Sequence, residues 1–327
     1  MFTSSFWRPL ALASSCTVVL VAVSLATAPS GGLGGQAAPF PPEPAPEAVT
    51  HELRLPPDPP APHPHPGQVA VCDEPGRDEI ITLPDTGAPE KERPLWVRRP
   101  PGPDSADLPV LYLLHGSAST HETLLEQEIG PLLDRQMCRT GVEFVIAAPH
   151  GQEGNGVTTE WADPTDGSFA LESFVTGAAI EAVEGEHLRT NSLRAIGGFS
   201  MGGHGAATLA LRNPDLYSQV VGWAGHYRTD DPHGAFGNDT TPHSLDRLLG
   251  SAGVEHLRFL LVEGTEERTP LQEGSIRGEA ERFADLLTEQ GMTVTTVHPR
   301  GGHDFRTWKH TFPDATDFLV SGWSATP

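Results

Sequence analysis

From residue 93 onward, short apolar runs alternate with longer segments whose apolar positions recur every three or four residues. The runs at 109–114 (PVLYLL), 144–148 (FVIAA), 219–223 (QVVGW) and 258–262 (RFLLV) are nearly continuous, which predicts strands buried on both faces. Between them, residues 121–140 place Leu124, Leu125, Ile129, Leu132, Leu133 and Met137 at helical spacing. Residues 169–188, 278–290 and 304–320 also read as helices, 245–249 as a short one, and 292–297 as the last strand. Upstream, 69–71, 80–83 and 93–99, separated by turn residues, predict opening antiparallel strands. Strands alternating with helices imply an α/β chain with a mostly parallel central sheet flanked by helices on both faces.

The first 67 residues follow neither period. Behind Arg8, residues 10–25 are mostly apolar and end at an A-x-A pattern, Ala26-Thr27-Ala28. Residues 1–28 are therefore expected to be a signal peptide or, because the run nears bilayer length, a membrane anchor. Residues 29–67 are rich in Pro, Ala and Gly and are expected to form a disordered linker. That leaves 68–327 as one catalytic domain, long enough for a substantial core. A net charge of −22 excludes nucleic acid and anionic membrane as the main partner. Of the three cysteines, Cys16 lies in the apolar segment; Cys72 and Cys138 either pair in an exported protein or stand as two free thiols. No C-x-x-C or H-E-x-x-H occurs, and the expectation is no metal and no cofactor.

Leu193, Ala195 and Ile196 supply the end of a further strand, which runs into Gly198-Phe199-Ser200-Met201-Gly202, and small residues follow to Arg212. This is a G-x-S-x-G turn between a strand and a helix, which lifts a serine hydroxyl clear of its own backbone. In doubly wound sheets, chemistry collects at the carboxyl ends of the strands. There the chain carries His115-Gly116-Ser117, then Ser200, then Gly264-Thr265-Glu266-Glu267, then Gly301-Gly302-His303. The order is serine, carboxylate, histidine, the order of α/β-hydrolases.

The motifs LYLLHGS, GGFSMGGHGA, LLVEGTEE and GGHDFRTWKH, spread over 93–320, resemble the esterase-D-like esterase family of α/β-hydrolases. That family includes feruloyl and other carbohydrate esterases and is similar to secreted mycolyltransferases. The resemblance implies the α/β-hydrolase fold, with Ser200 as nucleophile and His303 as general base. The family's G-x-x-D falls on Glu267, with Glu263, Glu266 and Glu273 as alternative acids. It also implies an oxyanion hole from the backbone amides of Ser117 and Met201. Trp161, Asp163 and His226 are candidates to line the substrate pocket, while His115 and His204 fit packing roles beside the turn. The implied function is an exported serine esterase, secreted or associated with the cell envelope, acting on a small-molecule, carbohydrate or lipid ester. The alternatives are acyl transfer to a sugar or lipid alcohol, and a non-catalytic surface binding module.

Overall fold

The computed structural model describes residues 72–88, 90–101, 105–153, 158–228, 234–268 and 275–324. The leader, the linker and the strand expected at 69–71 lie outside the described residues, as does Glu273. All described residues belong to the compact unit spanning Leu55–Pro327, and none of their helices is long and apolar enough to cross a membrane.

Eight strands form one sheet: β1 (Arg77–Pro84), β2 (Glu92–Arg99), β3 (Val110–Leu114), β4 (Val145–Pro149), β5 (Arg194–Phe199), β6 (Gln219–Trp223), β7 (Arg258–Val262) and β8 (Thr293–Val297). Their order across the sheet is β1-β2-β4-β3-β5-β6-β7-β8. β2 runs antiparallel to both neighbours, and all pairs from β4 to β8 are parallel. The expected antiparallel opening is thus present, and the fold is the α/β-hydrolase fold.

The two-residue period of the strands divides the core. Val110, Tyr112 and Leu114 of β3 join Ile196, Val220 and Leu261 in one cluster, with Val175, Leu209 and Phe283 from helices. Leu111 and Leu113 face the other way, joining Ala195, Val221, Leu260, Leu133, Met137 and Trp323. Burying both faces of every central strand explains why their runs are continuously apolar. Each such side chain contributes roughly 1.5–3 kcal/mol.

Two expected helices are broken. The segment 121–140 divides into His121–Glu126 and Ile129–Thr140, because Pro131 cannot continue a helix begun a turn earlier and fits only in a new first turn. Pro313 does the same to 304–320, which becomes Phe305–Lys309 and Phe312–Ser324. The helix expected over 169–188 runs through Leu171–Ser173, a π turn at Phe174–Ala178, and Ala179–Glu184, ending at Gly185 with φ 55°. Cys72 is disulfide-bonded to Cys138, which ties the start of the described chain to the helix Ile129–Thr140.

Candidate active site

Ser200 sits between β5 and the helix Met201–Arg212, with φ 54° and ψ −117°. A non-glycine residue there stores strain on the order of 1–3 kcal/mol. The turn is held by its own backbone: Ser200 N–H donates to Trp223 O at 2.7 Å, and the Gly203 N–H donates to Ser200 O at 2.8 Å. The flanking glycines are demanded by close approach. A Cβ at Gly198 would run into the Gly202 backbone, and one at Gly202 into the backbone of Leu114 and His115. Beneath the turn, Phe199 stacks on Trp223 at 4.8 Å and on Trp308 at 5.4 Å, each pair adding about 0.5–1.5 kcal/mol to simple burial.

His303 Nε2 lies 2.9 Å from Ser200 Oγ, although 103 positions separate the two in the chain. Two loops at the carboxyl end of the sheet make this meeting. Thr265 N–H donates to Pro299 O at 2.9 Å and Glu266 N–H to Gly301 O at 2.8 Å, so the loop after β7 is zipped to the loop after β8. Gly301 turns with φ 137°. Asp304 then caps the next helix by accepting from Thr307 N–H at 2.9 Å, which stops the His303 loop from wandering.

The same zipper brings Glu267 behind the ring. Its Oε1 is 3.5 Å from His303 Nδ1, with side-chain exposures of 1% for Glu267 and 17% for His303. That separation is wider than a formed hydrogen bond, and such contacts are commonly loose before substrate binds. Trp308 Nε1–H donates to the same Oε1 at 3.3 Å, and its indole meets the His303 ring edge-on at 5.1 Å. Trp308 thus touches both carboxylate and imidazole. Of the other candidate acids, Glu266 is exposed. Glu263 is fully buried. Burial, with the Glu267 charge adding to it, pushes the Glu263 carboxyl well above the usual carboxylate range.

Met201 and Ser117 lie on the two segments that adjoin the elbow turn. Met201 opens the elbow helix, and a Cβ added at Gly116 would stand 3.1 Å from Phe199 O and 3.3 Å from Ser200 Cβ, so the loop after β3 presses on the elbow. Neither amide donates a hydrogen bond within the described residues. His115 fixes this loop. Its Nε2 accepts from Gly151 N–H at 2.8 Å, which leaves Nδ1–H to donate to Gly116 O at 2.9 Å. Burial pushes its pKa down to about 3, keeping it in that neutral tautomer. Gln152 completes the bracket by donating to Ser117 O and Ser119 O.

Residues 86–319 match the model of the family described as "Putative esterase". The chain belongs to that family. It is an esterase, a carboxylic ester hydrolase by family. Among solved structures, it is similar to a ferulic acid esterase (18% identity, TM-score 0.65, 76% of this chain and 99% of that one). It is also similar to an S-formylglutathione hydrolase from Agrobacterium tumefaciens (20%, 0.62, 76% and 96%) and to MPT51 of Mycobacterium tuberculosis (14%, 0.58, 76% and 99%). At these identities the likeness is one of fold. No curated protein sequence matches this esterase.

Each of the three expected lining residues has a partner within the fold. Trp161 is fully buried; its ring fills the space over Gly151 and Gly205, and its Nε1–H donates to His115 O at 3.1 Å. It is a core residue of the esterase, because only glycines on both neighbouring segments leave room for an indole there. Asp163 binds Ser173, accepting from its N–H at 3.2 Å and from its hydroxyl. His226 is 17% exposed and places Nε2 3.1 Å from Glu160 Oε2. His204 Nδ1 approaches the same oxygen at 3.3 Å. Glu160, Gln152 and Trp308 escaped the sequence reading. Trp308 alone had a signal there, its place in GGHDFRTWKH; the other two lie in a polar loop without a motif.

Proposed function

We propose that this esterase is an exported serine hydrolase that cleaves carboxylic esters through an acyl-enzyme on Ser200. The observation that carries the reading is the 2.9 Å contact from His303 Nε2 to Ser200 Oγ, made by a serine held on a strained strand-to-helix turn. In this reading, Oγ attacks the acyl carbon while His303 Nε2 takes its proton. The carbonyl electron pair moves onto oxygen, where the Ser117 and Met201 amides receive it; one such donor is worth on the order of 3 kcal/mol to the transition state. Collapse breaks the ester C–O bond, and His303 returns the proton to the departing alcohol. Water, deprotonated by the same ring, then releases the acid. Glu267 behind Nδ1 stabilises the imidazolium formed in both halves. Export is supported by the leader-like pattern of 1–28 and by the Cys72–Cys138 disulfide, a bond that persists in oxidising compartments.

The test is a panel of aryl esters of increasing acyl length, with acetylated and feruloylated sugars, run on the wild type and on Ser200→Ala. The expected product is free acid, even with a sugar alcohol added. An acylated sugar in its place would assign the same site to transfer. Rates unchanged in Ser200→Ala would sink the mechanism.

A further inference from the structure

Glu160, His204 and His226 offer three ligand atoms that all lie within 4.8 Å of one another. They come from three separate segments: the loop after β4, the elbow helix, and the turn after β6. Glu160 Oε2 is the meeting point, 3.3 Å from His204 Nδ1 and 3.1 Å from His226 Nε2. Two ligands of a tetrahedral zinc ion, each bonded at about 2.0 Å, stand about 3.3 Å apart. We propose that these three side chains form a binding site for a divalent transition metal of the zinc class, separate from the Ser200 hydroxyl.

The donor chemistry selects the ion. Two imidazoles and one carboxylate suit zinc, cobalt or nickel; calcium and magnesium take oxygen ligands. The backbone is built to aim the carboxylate inward. Glu160 and Trp161 are consecutive non-glycine residues with φ of 47° and 58°, a conformation that persists only where the surroundings impose it. The buried Trp161 ring, wedged over Gly151 and Gly205, supplies that constraint. The His204 side chain is fully buried and Glu160 nearly so, whereas His226 is 17% exposed. The ion therefore enters past His226, and a water completes the fourth position.

One movement is needed. The two rings stack at 4.5 Å with an 8° interplanar angle, and an ion bound in the plane of both requires them to converge. His226, at the solvent edge, is the ring free to turn. Because His204 N–H donates to Ser200 O at 3.2 Å, a bound ion would pin the elbow helix to the loop after β4 and the turn after β6. Binding here is independent of ester cleavage at Ser200.

The test uses the full-length protein, stripped with chelator and titrated with Zn2+ by calorimetry, with Co2+ as a spectroscopic probe. The expected result is one ion per chain, the intense visible absorption of tetrahedral cobalt, and a thermal midpoint raised on the order of 5 °C at about a hundredfold excess over Kd. His226→Ala and Glu160→Gln should each weaken Zn2+ binding at least tenfold. His303→Ala and His121→Ala should leave it unchanged, the latter because His121 and His150 form a separate pair, Nδ1 to Nδ1 at 3.2 Å. The cobalt spectrum of the wild type reads the geometry even if a variant fails to fold. Absence of saturable binding, an octahedral cobalt spectrum, or binding that survives both ligand variants would overturn the site and leave a hydrogen-bonded His–Glu–His cluster.

Discussion

Two buried carboxylates face imidazole beside the same elbow helix, and they are arranged differently. Around Glu267 the groups form a line: a half-buried hydroxyl, a ring with 17% exposure, a carboxylate with 1%. Ser200 Oγ faces His303 Nε2 at 2.9 Å, and Glu267 Oε1 stands on the other side of the ring, 3.5 Å from Nδ1. Around Glu160 the groups converge: two rings reach one oxygen at 3.1 and 3.3 Å. A line moves charge from one end to the other, while a convergence holds charge at a point. The first geometry suits an acyl-transfer nucleophile, the second a cation.

The largest expected effect breaks the line at its head. Ser200→Ala should lower kcat for an activated ester by a factor on the order of 10^4 to 10^6 and abolish fluorophosphonate labelling, while Zn2+ uptake by the same variant stays at the wild-type value. Loss of both together would mean that the two groups are one site. Breaking the line at its tail is the next largest. Glu267→Gln keeps the shape but removes the charge behind Nδ1, and a fall in kcat of about 10^3 to 10^4 is expected. Glu266→Gln, on an exposed side chain, should change kcat less than twofold. Equal losses from the two variants would remove Glu267 from its role.

Trp161 shows where sequence reading stops. In a polar loop after FVIAAP, a tryptophan reads equally as a pocket liner or as a lid on the core. Its burial depends on two glycines, Gly151 and Gly205, from other segments; no local pattern announces that. Trp161→Ala should destabilise the fold by roughly 3–5 kcal/mol in denaturant titration, whereas a pocket-lining tryptophan would cost well under half of that. The line was legible because each of its members follows a strand end and sits in a short motif: GFSMG, GTEE, GGH. The convergence was not. Glu160, His204 and His226 share no spacing, and only the sheet order, which sets β4, β5 and β6 near one another, brings their loops together. The broken helices follow the same rule in reverse. Pro131 and Pro313 were visible in the chain, but the periodic apolar positions on either side of them outweighed the two breaks.

Glu263 sharpens the comparison from a third direction, because it is a carboxyl with neither line nor convergence. It is fully buried, neither of its oxygens makes a hydrogen bond among the described residues, and the ionisable groups that act on it are Glu267 and Tyr227. Burial first, and the Glu267 charge second, raise its pKa well above the usual range. Below the ordinary carboxylate value near 4.3, folded and unfolded chains both hold the proton, and its contribution to stability is fully present. As the pH rises past that value the unfolded chain releases the proton while folded Glu263 retains it. The folding equilibrium then loses up to about tenfold per pH unit until the folded pKa is passed. Glu263→Gln removes this dependence, so the variant's stability between pH 5 and 8 should be flatter than the wild type's, with kcat changed by less than about fivefold. A wild-type stability that climbs through this window, with the variant matching it, would mean that Glu263 is ionised in the fold.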